Sequence, residues 1–462
     1  MGALAYVRSL NPQLPRAVWL LQAGGLANMF GNGVVVPFLI IYLHNVRGIS
    51  LGVAGLIAAS NSLAALGSAF VGGALADRIG PRAVLTGALV VMTVAFALFP
   101  LVREPWHAFA LNMLAGAGSG AFWPSQSALL NLLTPPARRH AAFAQQRMTM
   151  NLGIALGGLV AGLIARTAHP GTFTVLFLLD AATFLVFVGV LRIVPAPRYE
   201  HPTEPGRYGD VLRNRTFLAY IALNVVFIGA GIAVASELLP PFAKNTAHVS
   251  ERGIGVLWFE TSLIIALAQL PIVKLVEGRR RMRGLALMGL VWAASFGGIM
   301  LAGDTFSGTA AAAAMAIPVA AFALGECLHG AIYAPLVADL AEPRMIGRFM
   351  AVSSFSWQVG FLVGPAAGGF VLQHAPPTLW IGAAATCLAA SAYALALERH
   401  LPQPVRITPR DEGTAAGVTG TMANMAPATE DPLSTGAEPA PHPAHTAAAG
   451  GGRSASARGA RR

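Results

Sequence analysis

Apolar stretches long enough to cross a bilayer recur twelve times along this chain. A helix needs about 20 predominantly apolar residues to span the hydrocarbon core, and each stretch is of that order. They lie at residues 16–43, 50–76, 83–102, 106–133, 140–165, 171–193, 217–243, 253–276, 284–303, 309–340, 346–373 and 378–397. Charged residues make up 11% of the chain and the mean hydropathy is +0.61, whereas soluble domains carry about 25% charged residues. The pattern predicts an all-α membrane protein with twelve transmembrane helices.

A polar segment divides the twelve stretches into six and six. Residues 194–216 contain four prolines and several charges, as expected of a solvated cytoplasmic linker. We therefore predict an N-terminal six-helix bundle at 1–193 and a C-terminal six-helix bundle at 217–400. Residues 401–462 are rich in Ala, Pro, Gly, Thr and Ser and lack hydrophobic periodicity, which predicts a disordered cytoplasmic tail.

Arginine and lysine are distributed unevenly between the two sides of the predicted helices. With the N-terminus placed inside, the inner segments before the tail hold 19 of these residues and the outer segments hold five. Cytoplasmic loops carry the excess of basic residues in multi-pass proteins. We therefore expect both termini in the cytoplasm. The arginine-dominated, Ala- and Gly-rich composition is typical of GC-rich coding, which is a hint about the source of the chain. We expect the protein in the cytoplasmic (inner) membrane of a prokaryote.

Two glycine-rich segments, 207 residues apart, suggest an internal repeat. The fifth stretch contains G-I-A-L-G-G-L-V-A-G and the eleventh contains G-F-L-V-G-P-A-A-G-G. Small residues at i and i+4 let helix backbones approach closely, and a proline kinks a helix. The offset predicts two pseudo-symmetric bundles, as transporter folds often have. The residues expected at these helix contacts are Gly153, Gly157, Gly360, Gly364, Pro365 and Gly368.

The connection after the second stretch carries the sharpest local motif, G-A-L-A-D-R-I-G-P-R at residues 73–82. Gly73 permits close helix packing at the membrane edge, and Gly80 permits a tight turn. The motif resembles the G-x-x-x-D-R-x-G-R-R signature of the major facilitator superfamily, with Pro81 replacing one basic residue. The resemblance implies a conformational switch that latches the two bundles. Its residues are Gly73, Asp77, Arg78, Gly80 and Arg82.

Ionisable residues within the stretches are candidate functional groups, because charge at the bilayer centre costs about 2.5–3.5 kcal/mol on insertion scales. Glu237 and Glu260 fall near the outer ends of the seventh and eighth stretches, so they could share one layer. Glu326 lies near the middle of the tenth stretch. His329 follows one helical turn later and could hydrogen-bond Glu326 or share its proton.

Two further acidic residues, Asp180 and Asp339, are expected to have structural roles. Asp180, in the sixth stretch, is expected to form a helix-packing hydrogen bond. Asp339 lies near the cytoplasmic end of the tenth stretch and is expected to pair with Arg344 or Arg348.

The sequence around these acids is similar to the proton-coupled multidrug antiporters of the LmrP type within the same superfamily. The resemblance implies that Glu237 and Glu326, with Asp77 in the loop, couple proton movement to drug movement. Two departures weaken the export interpretation. Gly158 stands where the family's antiporter motif has proline, and Asn112 stands where many of its proton antiporters have arginine. Arg147 is either a substitute cation or a snorkelling anchor at the cytoplasmic surface.

The first, fourth, seventh, tenth and eleventh helices line the pore in this superfamily, which implies a set of cavity residues. Their aromatic and amide side chains suit amphipathic ligands by stacking and hydrogen bonding, although they also suit helix packing. The candidates are Asn28, Asn32, Trp123, Gln126, Phe227, Tyr333, Trp357 and Gln358.

Other function classes lack their motifs. The chain contains no G-x-x-x-x-G-K-[ST] nucleotide loop and no H-E-x-x-H helix, and no filter-like loop is apparent. We therefore expect no catalytic residues, no metal site and no cofactor. We also expect that the protein is not an enzyme. The predicted partners are a small-molecule substrate, protons and the lipid bilayer, without nucleic acid, and the protein is expected to be a monomer. A non-transporting receptor with this fold is the other class, but the intramembrane acids argue against it.

The leading hypothesis is a secondary active transporter that performs proton-driven efflux of drugs or small amphipathic metabolites by alternating access. The alternative is proton-coupled uptake of a small nutrient or metabolite.

Overall fold

The computed structural model describes residues 14–135, 138–195, 208–341 and 345–409. Within these ranges Asp77 is described by its backbone alone. The predicted linker is therefore described at 194–195 and 208–216, and the predicted tail at 401–409.

Twelve long helices make up nearly all of the described chain, and we number them in order. They are α1 Arg16–Ile41, α2 Leu51–Ile79, α3 Pro81–Leu98, α4 Pro105–Leu133, α5 Arg139–Ile164, α6 Gly171–Ile193, α7 Arg215–Asn245, α8 Glu251–Val276, α9 Arg281–Thr305, α10 Gly308–Leu340, α11 Ile346–His374 and α12 Pro376–Leu397. The first helix continues as a π-helical turn, Tyr42–Val46, and α7 contains another at Ile228–Ala233. A short helix, Tyr208–Arg213, precedes α7.

In the described residues, eleven of these helices are long and apolar enough to cross a membrane. The remaining one, α4, has 29 residues and no Asp, Glu, Lys or Arg. Its hydropathy is lower because Asn112, Gln126 and several glycines and serines interrupt the apolar run. It packs against α2 and α3, so its polar residues lie among protein neighbours. The predicted all-α membrane architecture is confirmed.

Local sequence signals set the helix ends. Ser50 and Ser250 are the N-caps of α2 and α8, and their hydroxyls accept hydrogen bonds from the backbone N–H groups three residues later. Gly80 ends α2 with φ +88°, a conformation that disfavours side chains with a Cβ. Pro81 then begins α3 at a position where its missing N–H costs nothing.

The packing pattern of the first six helices repeats in the last six. In the first bundle α1 packs on α5 and α6, α2 on α4, and α3 on α4 and α6. In the second, α7 packs on α11 and α12, α8 on α10, and α9 on α10 and α12. The two bundles meet mainly through α2 against α11 and through α5 against α8, with a smaller contact of α1 against α7. The α2–α11 interface becomes the α8–α5 interface when each helix is replaced by its equivalent in the other bundle. This exchange confirms the predicted pseudo-symmetry.

The glycine rows of α5 and α11 make equivalent contacts. A Cβ at Gly157 would meet the backbone of α1 at Phe30, and one at Gly364 would meet the backbone of α7 at Gly229. Three other glycines of the two rows also lie close to α1, α7 or α12, and Pro365 lies within α11. The residues concerned are Gly153, Gly360 and Gly368.

The chain after α12 is ordered as far as the structure describes it, which differs from the predicted disorder from residue 401. Residues 406–408 pair with the α8–α9 connection, through the Arg281 N–H to the Arg406 carbonyl and the Gly278 N–H to the Thr408 carbonyl, both 2.9 Å. Leu401 is buried. Backbone pairing with a distant loop orders this segment, and such pairing leaves no hydrophobic period in the sequence.

Candidate functional site

A cavity of about 140 Å³ lies between the bundles, where α5 faces α7, α8, α9 and α10. Most of its wall is apolar and includes the aromatic side chains of Trp258 and Phe322. Polar groups enter from α5, α7, α8 and α10, and they are Asn151, Ser236, Thr261, Ser262 and Glu326. The combination of an apolar wall with a few convergent polar groups is typical of a small-molecule site.

Glu326 is the carboxylate on this wall. Arg147 of α5 lies close enough to interact with it electrostatically. The Arg147 Nη2 atom also lies 2.6 Å from the position that a Cβ on Gly330 would occupy. Arg147 therefore reaches from the first bundle to α10 of the second bundle. The Arg147 side chain is exposed, and its two predicted roles, substitute cation and surface anchor, both stay predictions.

His329 does not pair with Glu326, although it lies one turn further along α10. Its Nε2 atom lies 2.8 Å from the Oδ1 atom of Asn224 on α7, and the imidazole is buried. Since residues three apart on a helix are offset by about 60° around its axis, Glu326 can face the cavity while His329 faces α7.

A buried polar network surrounds His329 and ties α7, α10 and α11 together. The Asn224 amide donates to Ser356 Oγ at 2.7 Å. The Tyr333 hydroxyl lies 2.7 Å from Ser353 Oγ and 3.0 Å from Ser356 Oγ. Because an unpaired polar group in this environment is costly, the network favours a single register of the three helices.

Glu237 and Glu260 flank the cavity without lining it. Glu237 follows the lining residue Ser236 on α7, and Glu260 precedes the lining residue Thr261 on α8. Both side chains are partly buried. Among the described residues, neither carboxylate forms a hydrogen bond or an ion pair.

Among the described residues, three polar contacts join the bundles at the end of the helices opposite the arginine-rich loops, and we call them the rim contacts. Asn45 donates to Asn245 at 2.6 Å, and the Gly52 N–H donates to Gln373 at 2.9 Å. In the third contact the Glu251 carboxylate accepts from Thr167. Both the Thr167 N–H, at 2.9 Å, and its hydroxyl, at 2.8 Å, donate to it.

Close backbone approaches of the two bundles occur at the same end as the rim contacts. The added Cβ of Gly55 on α2 would meet Pro365 and Gly369 of α11. That of Gly162 on α5 would meet Gly255 of α8. The rim end of the molecule is therefore closed in this structure.

Residues 22–325 and 221–447 match the family model described as Major Facilitator Superfamily. The chain belongs to the major facilitator superfamily. The multidrug resistance protein MdtH of Cronobacter sakazakii is 25% identical over 393 residues, covering 82% of this chain and 92% of that protein. A Na⁺, Li⁺, K⁺/H⁺ antiporter of Planococcus maritimus is 24% identical over 390 residues, covering 76% and 86%. The nucleoside transporter NupG shares the fold with a TM-score of 0.69 at 12% identity, covering 83% of this chain and 100% of that chain.

The superfamily signature loop is partly described. Gly80 makes the expected turn, and Arg82 of α3 donates to the Arg192 carbonyl at the end of α6, at 3.1 Å. Gly73 differs from the expectation, since its Cβ position meets no atom within 4 Å, whereas Gly72 packs on Ala121 of α4. The Arg78 side chain is exposed, and the Asp77 side chain lies outside the described residues.

The departure from the antiporter motif at Gly158 has a structural explanation. The space that a Cβ on Gly158 would fill is occupied by the Trp258 indole of α8. Trp258 in turn lines the cavity. Glycine at this position therefore allows an aromatic wall residue to approach α5.

Asn112, at the position of the family arginine, is buried and donates to the backbone carbonyls of Ile57 and Ala58 on α2. It therefore joins α4 to α2 rather than supplying a charge.

The eight residues predicted to line a cavity have different environments, and none lines the cavity above. Phe227 is buried against Trp292, and Tyr333 belongs to the buried network around His329. Trp357 contacts the His329 ring edge-on. All eight stay predictions, and of the other five Asn28 and Gln126 are buried, Gln358 is partly buried, and Asn32 and Trp123 are exposed.

The two acids assigned structural roles have the following neighbours. Asp180 is buried against Gly31 of α1, and in the described part of the chain its Oδ1 atom has no hydrogen-bond partner. Asp339 pairs with Arg281 of α9 at 2.5 Å, a partner that we did not predict, whereas Arg344 lies outside the described residues.

Sequence reasoning missed the polar and aromatic face of α8. Trp258, Thr261 and Ser262 are spaced i, i+3 and i+4, so they share one helix face, and all three line the cavity. That spacing within an otherwise apolar helix was the available signal.

Proposed function

We propose that this protein is a proton-driven efflux transporter of small amphipathic molecules, with Glu326 as the proton-carrying group. The observation that supports this most directly is the position of Glu326, on an otherwise mostly apolar cavity between the bundles and facing Arg147. The loops rich in arginine are assigned to the cytoplasm, so the closed rim end faces outward and the substrate enters from the cytoplasmic side.

The chemistry of antiport follows from competition at one carboxylate. An ionised Glu326 attracts both Arg147 and a cationic ligand, and the apolar wall strengthens these attractions by lowering the local dielectric. A proton arriving from outside neutralises Glu326 and removes the attraction for the ligand. Proton binding and ligand binding then exclude each other, which is the thermodynamic requirement for exchange.

The lining favours an organic ligand over a bare metal cation. Trp258 and Phe322 provide flat apolar surface, which stabilises aromatic ligands by burial and stacking. A similar relative is named as a multidrug resistance protein and another as a monovalent cation/H⁺ antiporter. Transport of a monovalent cation would use Glu326 with the hydroxyls of Thr261 and Ser262. The test therefore includes both an organic cation and Na⁺.

Transport into inverted membrane vesicles tests the direction and the coupling. With an inside-acid gradient we expect accumulation of a lipophilic cation such as ethidium, and collapse of that accumulation by a protonophore. Accumulation of Na⁺ without dye would indicate the cation antiporter. If inverted vesicles accumulated neither dye nor Na⁺, and right-side-out vesicles took up a nutrient, the alternative of proton-coupled uptake would be indicated.

Glu326→Gln tests the proposed carrier. We expect this variant to lose gradient-driven accumulation while retaining wild-type amounts in the membrane, because an amide cannot exchange a proton. Glu277→Gln is the matched control, since Glu277 lies at the far end of α8 and outside the cavity lining. Wild-type transport by Glu326→Gln would remove this residue from the mechanism.

A further inference from the structure

Arginines surround a second cleft at the arginine-rich end of the C-terminal bundle. It is bounded by the start of α9, the end of α12 and the segment that follows α12. The cleft is lined by Arg280, Arg283, Leu395, Glu398, Arg399 and Arg406. Four arginines and one glutamate leave it with a net charge of +3.

Neighbouring groups hold two of the four arginines in place, Arg280 and Arg406. Glu398 is buried and lies 2.8 Å from Arg280 and 4.0 Å from Arg283. Arg406 donates to the carbonyls of Leu401 and Arg399, at 2.8 and 3.0 Å. Arg280 and Arg406 are therefore preorganised, Arg283 and Arg399 complete the lining, and one carboxylate cannot neutralise all four.

The cleft continues into an apolar surface along two adjacent helices. On α9, Leu287 and Leu290 follow Arg283 at i+4 and i+7, so the three share one face, and the two leucines are 52% and 51% exposed. On α12, which packs against α9, Leu388 and Leu395 are 46% and 47% exposed. The exposed apolar side chains thus lead from the membrane interior to the cleft.

We infer that this cleft binds an anionic phospholipid of the cytoplasmic leaflet. Guanidinium groups match the geometry of a phosphate and bind it with two parallel hydrogen bonds. The acyl chains lie on the exposed leucines of α9 and α12, which a soluble phosphate compound would leave unused. The residues assigned to the phosphate are Arg280, Arg283, Arg399 and Arg406, and those assigned to the acyl chains are Leu287, Leu290, Leu388 and Leu395.

The site is independent of the proposed transport activity, so binding is measured directly. Purified full-length protein in detergent is titrated with phosphatidylglycerol or phosphatidylcholine and read by native mass spectrometry. We expect phosphatidylglycerol to bind preferentially. The double variant Arg283→Gln/Arg399→Gln should weaken its binding about 30-fold, since each arginine near a membrane surface contributes about 1 kcal/mol toward anionic lipid.

Two further variants separate the site from general charge and from misfolding. Arg103→Gln/Arg252→Gln removes the same charge at exposed positions on the rim end and should leave phosphatidylglycerol affinity unchanged. Arg283→Lys/Arg399→Lys keeps the charge without the bidentate fork and should bind with intermediate affinity. An equal loss in the rim variant, equal binding of the two lipids, or displacement of phosphatidylglycerol by millimolar inorganic phosphate would each overturn the proposal.

Discussion

Glu251 is the residue through which the closed state can be weakened most specifically. Its carboxylate belongs to α8 of the second bundle and accepts two hydrogen bonds from Thr167 of the first bundle. Lys244 of α7 lies 2.9 Å from the same oxygen. Glu251 is 8% exposed, so solvent screens these interactions little. In alternating access the rim must separate, and both bonds to Thr167 must then break.

The expected effect of Glu251→Gln follows from these two bonds. A hydrogen bond to a charged group contributes about 1.5–3 kcal/mol, and a neutral one about 0.5–1.5 kcal/mol. Replacing the carboxylate with an amide should therefore cost the closed state about 1 kcal/mol for each bond, or about 2 kcal/mol in total. The ratio of closed to rim-open molecules should fall about 30-fold.

Distances between spin labels across the rim measure this ratio. Arg103→Cys and Arg252→Cys place labels at exposed positions in different bundles, and the native Cys327 and Cys387 are both buried. Electron–electron double resonance should show a longer-distance population that grows in Glu251→Gln. Thr167→Val removes the hydroxyl and its whole hydrogen bond to the carboxylate but keeps the N–H, so it should cost the closed state about 1.5–3 kcal/mol, a change similar to that of Glu251→Gln.

The control variant is Glu277→Gln, which removes one carboxylate at the other end of α8. Its distance distribution should match that of the parent. If Glu251→Gln changed the ratio less than threefold, or if Glu277→Gln changed it equally, the rim contacts would not stabilise the closed state.

Two further predictions concern the glycines of α5. Gly157→Ala should lower the free energy of unfolding by about 1–3 kcal/mol, because its Cβ would overlap the Phe30 backbone. A thermal-shift assay should show a lower Tm than for Gly87→Ala, whose Cβ meets no atom within 4 Å; equal Tm values would contradict the packing argument. Gly158→Ala should displace the Trp258 indole. We expect this variant to change the affinity for the dye, measured by titration of tryptophan fluorescence, while its Tm changes little. An unchanged fluorescence spectrum would place the indole elsewhere.

Much of the architecture could be predicted because it depends on properties that each segment carries itself. Helix length and type follow from the run of apolar residues, and the glycine spacing in α5 and α11 marks the faces that approach α1 and α7. The turn at Gly80 follows from glycine's freedom at positive φ. These signals are local, so one sequence suffices to recognise them.

The site depended on how distant helices are rotated against one another, which apolar composition does not specify. In a helix that is apolar on nearly every side, the one-turn spacing of Glu326 and His329 predicts a hydrogen bond between them. Packing of α7 beside α10 instead brings Asn224 to the imidazole, and packing of α5 brings Arg147 to Glu326. Neither neighbour lies within the same helix, so helical spacing alone could not identify it.

The sequence by itself determined the twelve helices, their division into two related bundles, and which ends of the helices carry the arginine-rich loops. Hydropathy, internal repetition and charge are properties of consecutive residues, so they can be identified along the chain without the tertiary structure. The tertiary structure decided which polar side chains meet. Asn45 and Asn245, 200 residues apart, join the bundles at the rim, and the Trp258 indole fills the space left by Gly158. Such pairings depend on the relative position and rotation of packed helices, and these are set by the summed contacts of the whole fold.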